Sequence, residues 1–232
     1  MKNPDSINPL WWLWLPVLFL AANIYLQIFS HTVNSESLLA ENGLYENIQF
    51  AIILGAFLAG LVTLGRLSFR RMPWLFAWVG LVAFCAFFIA GEEISWGQFF
   101  LGWKTPEKWA SINVDNETSL HKLWFWNDQM FRTLVEVGIL VSGLLVPLIR
   151  KYRPSWLPSR LQIIFPPSRM AVTAGALWFL KLAKHLSAVF PVFSFSRISE
   201  VNEVFIYYFF LLYFVFMYRR VSAGHAGQAL KA

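Results

Sequence analysis

The stretch LYENIQFAIILGAFLAGLVTL, Leu44 to Leu64, decides the fold. It meets the roughly 20 mostly apolar residues that a membrane-crossing helix requires. Its one acid, Glu46, stands near the start, so the remainder can lie in hydrocarbon. Working outward, further segments have the same character: Leu10 to Phe29, Trp74 to Gly91, Gln129 to Ile149, Met170 to Val192 and Val201 to Tyr218. Composition agrees, since 57% hydrophobic and 14% charged residues with a mean hydropathy of +0.52 exclude an ordinary soluble domain. We therefore expect an all-α polytopic transmembrane helical bundle of about six spans. It forms a single integral membrane domain over residues 1–232, with an interfacial outer segment between the third and fourth spans.

Lysine and arginine near the helix ends set the orientation, because short loops rich in them stay cytoplasmic. Lys2, Arg66, Arg70, Arg71, Arg150, Lys151, Arg153, Arg160, Arg169, Arg219, Arg220 and Lys231 fall on one side, so both termini are expected to be cytoplasmic. Every acid except Asp5 falls on the other side: Glu36, Glu41, Glu46, Glu92, Glu93, Glu107, Asp115, Glu117, Asp128, Glu136, Glu200 and Glu203. The net charge of +6 then reflects membrane-flanking anchors that attract anionic lipid, and nucleic acid is not an expected partner. No small-residue cleavage site follows the first apolar run, which reads as an uncleaved span. Cys85, the one cysteine, lies within a span and offers neither an internal disulfide nor a thiolate metal site.

Most of the 12 tryptophans flank the spans, where an indole sits well at headgroup level. The region from Glu92 to Asp128 is aromatic yet polar, and reads as short amphipathic helices along the outer interface. Tyr152 to Ser168 holds Pro154, Pro158, Pro166 and Pro167, and reads as a stiff connector without regular helix.

An ionisable group inside an apolar segment costs a few kcal/mol or more, so it needs a partner. Glu46, Glu136 and Glu203 each enter a span from its outer end. Lys181 lies about 15 Å below the outer surface, which makes Glu136 or Glu46 its expected partner. Lys181, Lys184 and His185 share a helix face, and Arg132 can reach Glu136 four residues on. Glu92 and Glu93 point about 100° apart on a helix, so one of them is expected to face the bundle. Glu117 and His121 stand at i, i+4, a spacing that can offer two ligands to one metal. The candidate catalytic groups are Glu92, Glu93 and Lys181, and the candidate metal ligands are Glu117, His121 and His185. Glu41, Glu46, Gln98, Glu136, Glu200 and Glu203 complete the polar layer. Oxygen and nitrogen donors without thiolate would suit one divalent ion such as Zn, Fe, Mn, Mg or Ca.

The string GEEISWGQ (Gly91 to Gln98), followed by TPE (Thr105 to Glu107) and NETSLH (Asn116 to His121), resembles strings of bacterial multi-pass inner-membrane proteins of uncharacterised activity. The resemblance covers about the middle third of the chain and implies a bacterial inner-membrane location. A fainter likeness, through ENGLYEN (Glu41 to Asn47), is to alkaline ceramidase-type membrane hydrolases. Those enzymes hold zinc with histidines in an HxxxH arrangement. This sequence lacks that motif, so the likeness implies lipid hydrolysis as a reaction class and transfers no catalytic residue.

Three functions are consistent with these features. The first is a metal-dependent hydrolase, with Glu92 or Glu93 as general base, acting on a lipid or lipid-linked ester or amide at the outer leaflet. The second is a non-catalytic subunit or assembly factor, which presents an aromatic surface rich in the 23 phenylalanines to a membrane protein partner. Gly55, Ala59 and Gly60 would then allow close helix approach. The third is a proton- or cation-coupled transporter using Glu46, Glu136 and Lys181, which is opposed by the few polar groups in the inner halves of the spans. Salt bridges that fix helix register are the plainer account of the same charges.

Overall fold

A computed structural model of the chain describes residues 3–28, 44–111, 113, 118–119, 128–189 and 198–229. Helix α1 (Leu15–Ile28) follows a π-helical turn, Leu10–Trp14. Helices α2 (Leu44–Gly65) and α3 (Pro73–Glu93) form a hairpin, and α3 begins on a proline at its first position, where the missing N–H costs nothing. Two single-turn helices follow, α4 (Gln98–Leu101) and α5 (Glu107–Ala110). Helix α6 (Asp128–Leu140) runs through a second π-helical turn, Val141–Leu145, into α7 (Val146–Tyr152). Helices α8 (Ala171–Val189) and α9 (Ile198–Ala229) complete an architecture that contains no strand among the described residues.

Four helical stretches, Leu44–Gly65, Pro73–Glu93, Arg132–Tyr152 and Ile198–Gly224, are long and apolar enough to cross a membrane, which marks the chain as a membrane-embedded protein. The other two expected spans differ in kind. The first corresponds to a shorter apolar helix, Leu10–Leu26. The fifth corresponds to α8, whose apolar run is interrupted by Lys181, Lys184 and His185. Phe29 and the stretch 190–192 lie outside the described residues. The last helix is longer than the expected Val201 to Tyr218, because the backbone ladder continues past Arg219 and Arg220 once their guanidinium groups find carbonyl partners.

Helix α9 is the axis of the bundle. Of its apolar window 67% is buried, against 28% for each of the other three. It packs between α2 and α8, with α3 on α2 and α1 on α8. A helix buried on nearly every side needs apolar residues all round, and the run from Val204 to Met217 supplies them. At Gly60 of α2 an added Cβ would lie 2.9 Å from the Ala83 Cβ and 3.0 Å from the Phe214 ring, so only glycine lets α2 approach both α3 and α9. Inside the bundle, the Trp78 indole donates to the Tyr213 hydroxyl at 2.7 Å and ties α3 to α9.

Both π turns close with an i to i−5 bond, from Leu15 N–H to the Leu10 carbonyl and from Val146 N–H to the Val141 carbonyl. In each case proline is the next residue, Pro16 or Pro147. A proline ring clashes with the carbonyl four residues back, and a locally widened turn accommodates it.

The end where α2 stops and α9 runs out is built around arginine. Arg220 grips the Asp5 carboxylate with two nitrogens, at 2.7 and 2.8 Å, and also donates to the Ile163 and Phe165 carbonyls. Arg219 donates to the Pro4 and Ser6 carbonyls, and Arg169 to that of Asp5. The connector after α7 has single 3-10 turns at Pro154–Trp156 and Ser159–Leu161 and no α-helix, as its prolines predict.

Candidate functional site: a buried ion network at the acidic end

At the opposite end, α2, α3, α6, α8 and α9 bring charged and polar side chains together. Because α2 and α3 are antiparallel, the first turns of α2 and the last turn of α3 lie on the same side as the start of α9. Glu136 of α6 is only 2% exposed and is the centre of the network. Its carboxylate pairs with the Lys181 ammonium of α8, and the Arg132 Nε lies 3.8 Å from its other oxygen. Arg132 reaches across to the Glu203 carboxylate of α9 at 2.7 Å and to the Ser199 carbonyl at 2.8 Å. A guanidinium can serve these partners because its donors fork in fixed directions.

From α2, Gln49 completes the layer. Fully buried, it donates its amide to the Glu200 carbonyl at 2.8 Å and to the Glu203 carboxylate at 3.1 Å. Among the described residues, its Oε1 has no hydrogen-bond partner. A buried acceptor left in that condition is uncommon and calls for a donor from water or a ligand. Tyr207, one turn beyond Glu203 on α9, donates its hydroxyl to the Glu93 carboxylate of α3.

Glu92 and Glu93 diverge as adjacent helical residues must. Glu93 meets the bundle through Tyr207, whereas Glu92, 7% exposed, accepts from the Trp96 indole. Glu92 is thus buried, and Glu93 is half-buried. Trp96 reaches Glu92 because the chain reverses just after α3: Ser95 and Trp96 have φ of 46° and 56°, and Gly97 of 97°. Backbone strain of this kind persists where surrounding contacts enforce it. The indole lies against Gly91, where a Cβ would stand 2.8 Å from its ring, and edge-on to Phe87 and Phe88.

The segment beyond Gly97 is tied together by Gln98, which accepts from the Thr118 N–H at 2.7 Å and donates to the Thr105 hydroxyl at 3.0 Å. Phe100 of α4 packs on Phe50 of α2, which brings this segment against the acidic end.

Of the residues singled out from sequence, Glu93, Glu136, Lys181, Glu200 and Glu203 meet in one network, in which the Lys181 partner is Glu136 rather than Glu46. Glu92 and Gln98 organise the segment after α3 instead. Glu46 is half-buried one turn before Gln49, and His185 is exposed one turn beyond Lys181. Glu41, Glu117 and His121 lie outside the described residues. Among the described residues no group of three or more His, Cys, Asp or Glu side chains is placed to hold a metal ion.

Gln49 and Tyr207 escaped the sequence reading, although a signal existed. Glu200, Glu203 and Tyr207 recur at i, i+3 and i+7, and Glu46 and Gln49 at i, i+3, so each set shares a helix face. Fold and site together define the class as an all-helical, membrane-embedded protein with a buried ion network at one end of its bundle. Compared with known protein families, curated proteins and solved structures, the chain matches none.

Proposed function

We propose that the acidic end is the active site of a membrane hydrolase that acts on a lipid or lipid-linked ester or amide. In this reading the chain is a bacterial inner-membrane protein of about six spans, with α1 and α8 inserted beside the four long apolar helices. Both termini are cytoplasmic and the site faces outward. The observation that carries the proposal is the Glu93–Tyr207 pair, at the same end of the bundle as Gln49, whose Oε1 meets no donor among the described residues. A carboxylate hydrogen-bonded to a phenol can hold and return a proton, as general acid–base catalysis requires. The buried amide oxygen is positioned to accept from a substrate N–H or hydroxyl. Lys181, Arg132, Glu136 and Glu203 hold this pair in register. A divalent ion is part of the proposal only through Glu117 and His121, and it would supply an activated water.

The test incubates the purified protein with bacterial lipid extract and follows released fatty acid and headgroup fragments by mass spectrometry, with metal analysis of the same sample. Turnover that disappears in Glu93→Gln and Tyr207→Phe, with both variants still folded, supports the reading. Equal product from wild type and Glu93→Gln, or no product from any lipid class, ends it.

A second reading, a non-catalytic subunit of a membrane complex, is favoured by one feature. Leu81, Phe84 and Phe87 are 56%, 61% and 41% exposed and form a stripe on α3. Co-migration with another membrane protein in mild detergent would favour that role.

A further inference from the structure

At the basic end an open groove of about 330 Å³ runs between α2 and α9, lined by Ala59, Val62, Phe214, Val215, Tyr218 and Arg219. Its volume falls at the lower edge of the roughly 300–1,000 Å³ typical of small-molecule sites. Phe214 is fully buried against Gly60 and forms the floor, while Val62 is 55% exposed, so the groove opens sideways from the bundle. Both flanking helices are apolar enough to cross a membrane. The open side therefore faces acyl chains.

The polar rim has a definite charge. Arg219 lines the groove, and the Arg66 guanidinium stands 5.6 Å from the centre of the Tyr218 ring, also in the lining. Arg219 donates to the carbonyls of Pro4 and Ser6, and Arg66 rests on an aromatic face. Neither forms an ion pair with a carboxylate among the described residues, where the one acid at this end, Asp5, is taken by Arg220. One cationic group thus lines the apolar slot and a second rests on its Tyr218 wall, at the ends of two helices long enough to cross a membrane.

We propose that this groove is a binding site for one anionic phospholipid of the leaflet at the basic end, with an acyl chain along Val62 and Val215 and the phosphate held by Arg66 and Arg219. The occupant follows from charge complementarity at the rim and the lipid-facing opening. The proposal depends on membrane embedding alone, so it stands or falls separately from the hydrolase reading.

The full chain is purified in mild detergent and titrated with phosphatidylglycerol or with phosphatidylcholine of identical chains, and bound lipid is counted by native mass spectrometry. One phosphatidylglycerol is expected to bind at least fivefold more tightly than phosphatidylcholine, the factor equivalent to about one surface guanidinium. Arg66→Gln should remove about that factor. Val62→Trp, which fills the slot, should reduce binding of the lipid, while Leu81→Trp on the exposed face of α3 should not. Equal binding of the two lipids, or a Val62→Trp protein that binds as wild type, overturns the proposal. Should Val62→Trp not fold, Arg66→Gln decides alone, since Arg66 is exposed and its loss opens no cavity.

Discussion

The two ends of the bundle solve the same problem, charge at the edge of hydrocarbon, in opposite ways. At the basic end, Arg150, Arg169, Arg219 and Arg220 donate to backbone carbonyls of residues 4–6 and 163–166, and among the described residues one carboxylate, Asp5, joins them. Carbonyls do not titrate and cannot swing away, so this end is a clamp that fastens the N-terminal segment to α9. At the acidic end the partners are side chains from five helices, joined by ion pairs and by a phenol–carboxylate bond. Such a network contains carboxylates, an ammonium and a phenol that can exchange protons, which backbone carbonyls cannot do. In the proposed hydrolase reading, chemistry belongs to the acidic end and anchorage to the basic one.

The largest expected effect is at Glu136. Glu136→Ala leaves Lys181 and Arg132 close together with no carboxylate between them, and should lower stability by about 3–5 kcal/mol. Thermal unfolding in detergent measures it, and a loss below about 1 kcal/mol would mean that the acidic end is as loosely coupled as an ordinary surface. Adding Lys181→Met to Glu136→Gln should recover part of the loss, because a buried pair can be replaced by apolar packing.

Next comes Gly91→Ala, whose Cβ would stand 2.8 Å from the Trp96 ring. Displacing the indole should cost about 1–3 kcal/mol and remove its hydrogen bond to Glu92, read as a change in tryptophan fluorescence. Unchanged fluorescence would show that Trp96 is not held against α3.

Asp5→Ala should cost only about 1 kcal/mol, since its ion pair with Arg220 is partly exposed and the carbonyl contacts remain. Hydrogen exchange should nonetheless rise in residues 3–8. If instead global stability falls as far as in Glu136→Ala, the contrast between the two ends fails.

The smallest change in stability, about 1 kcal/mol or less, is expected for Tyr207→Phe, which removes one hydrogen bond. Hydrolysis, where the proposal holds, should nevertheless be lost, and this separation of activity from stability is the sharpest mark that the acidic end does chemistry.

Much of this arrangement was legible in the chain itself. Of the six spans expected from apolar length, four are helices long and apolar enough to cross a membrane, and the need for a Lys181 partner follows from its position inside an apolar run. Arg132 and Glu136, four residues apart, follow from helical geometry. Less legible was the role of Gln49 and Tyr207, because a glutamine or tyrosine near a helix end is ordinary until its neighbours are known. The length of α9 was also hidden, since hydropathy falls at Arg219 while the hydrogen-bond ladder does not.

Local sequence determined that the chain is helical and suited to a membrane, because these properties depend on residue type and spacing along one segment. Tertiary structure decided which carboxylate each cation meets. It placed Glu93 against Tyr207 and Lys181 against Glu136, and closed the N-terminal segment onto Arg219 and Arg220. Pairings across helices depend on how far each is rotated and shifted along its neighbours. Close contacts such as those of Gly60 with Ala83 and Phe214 and of Gly143 with Ala174 and Phe209 restrict those movements, and no single helix contains that information.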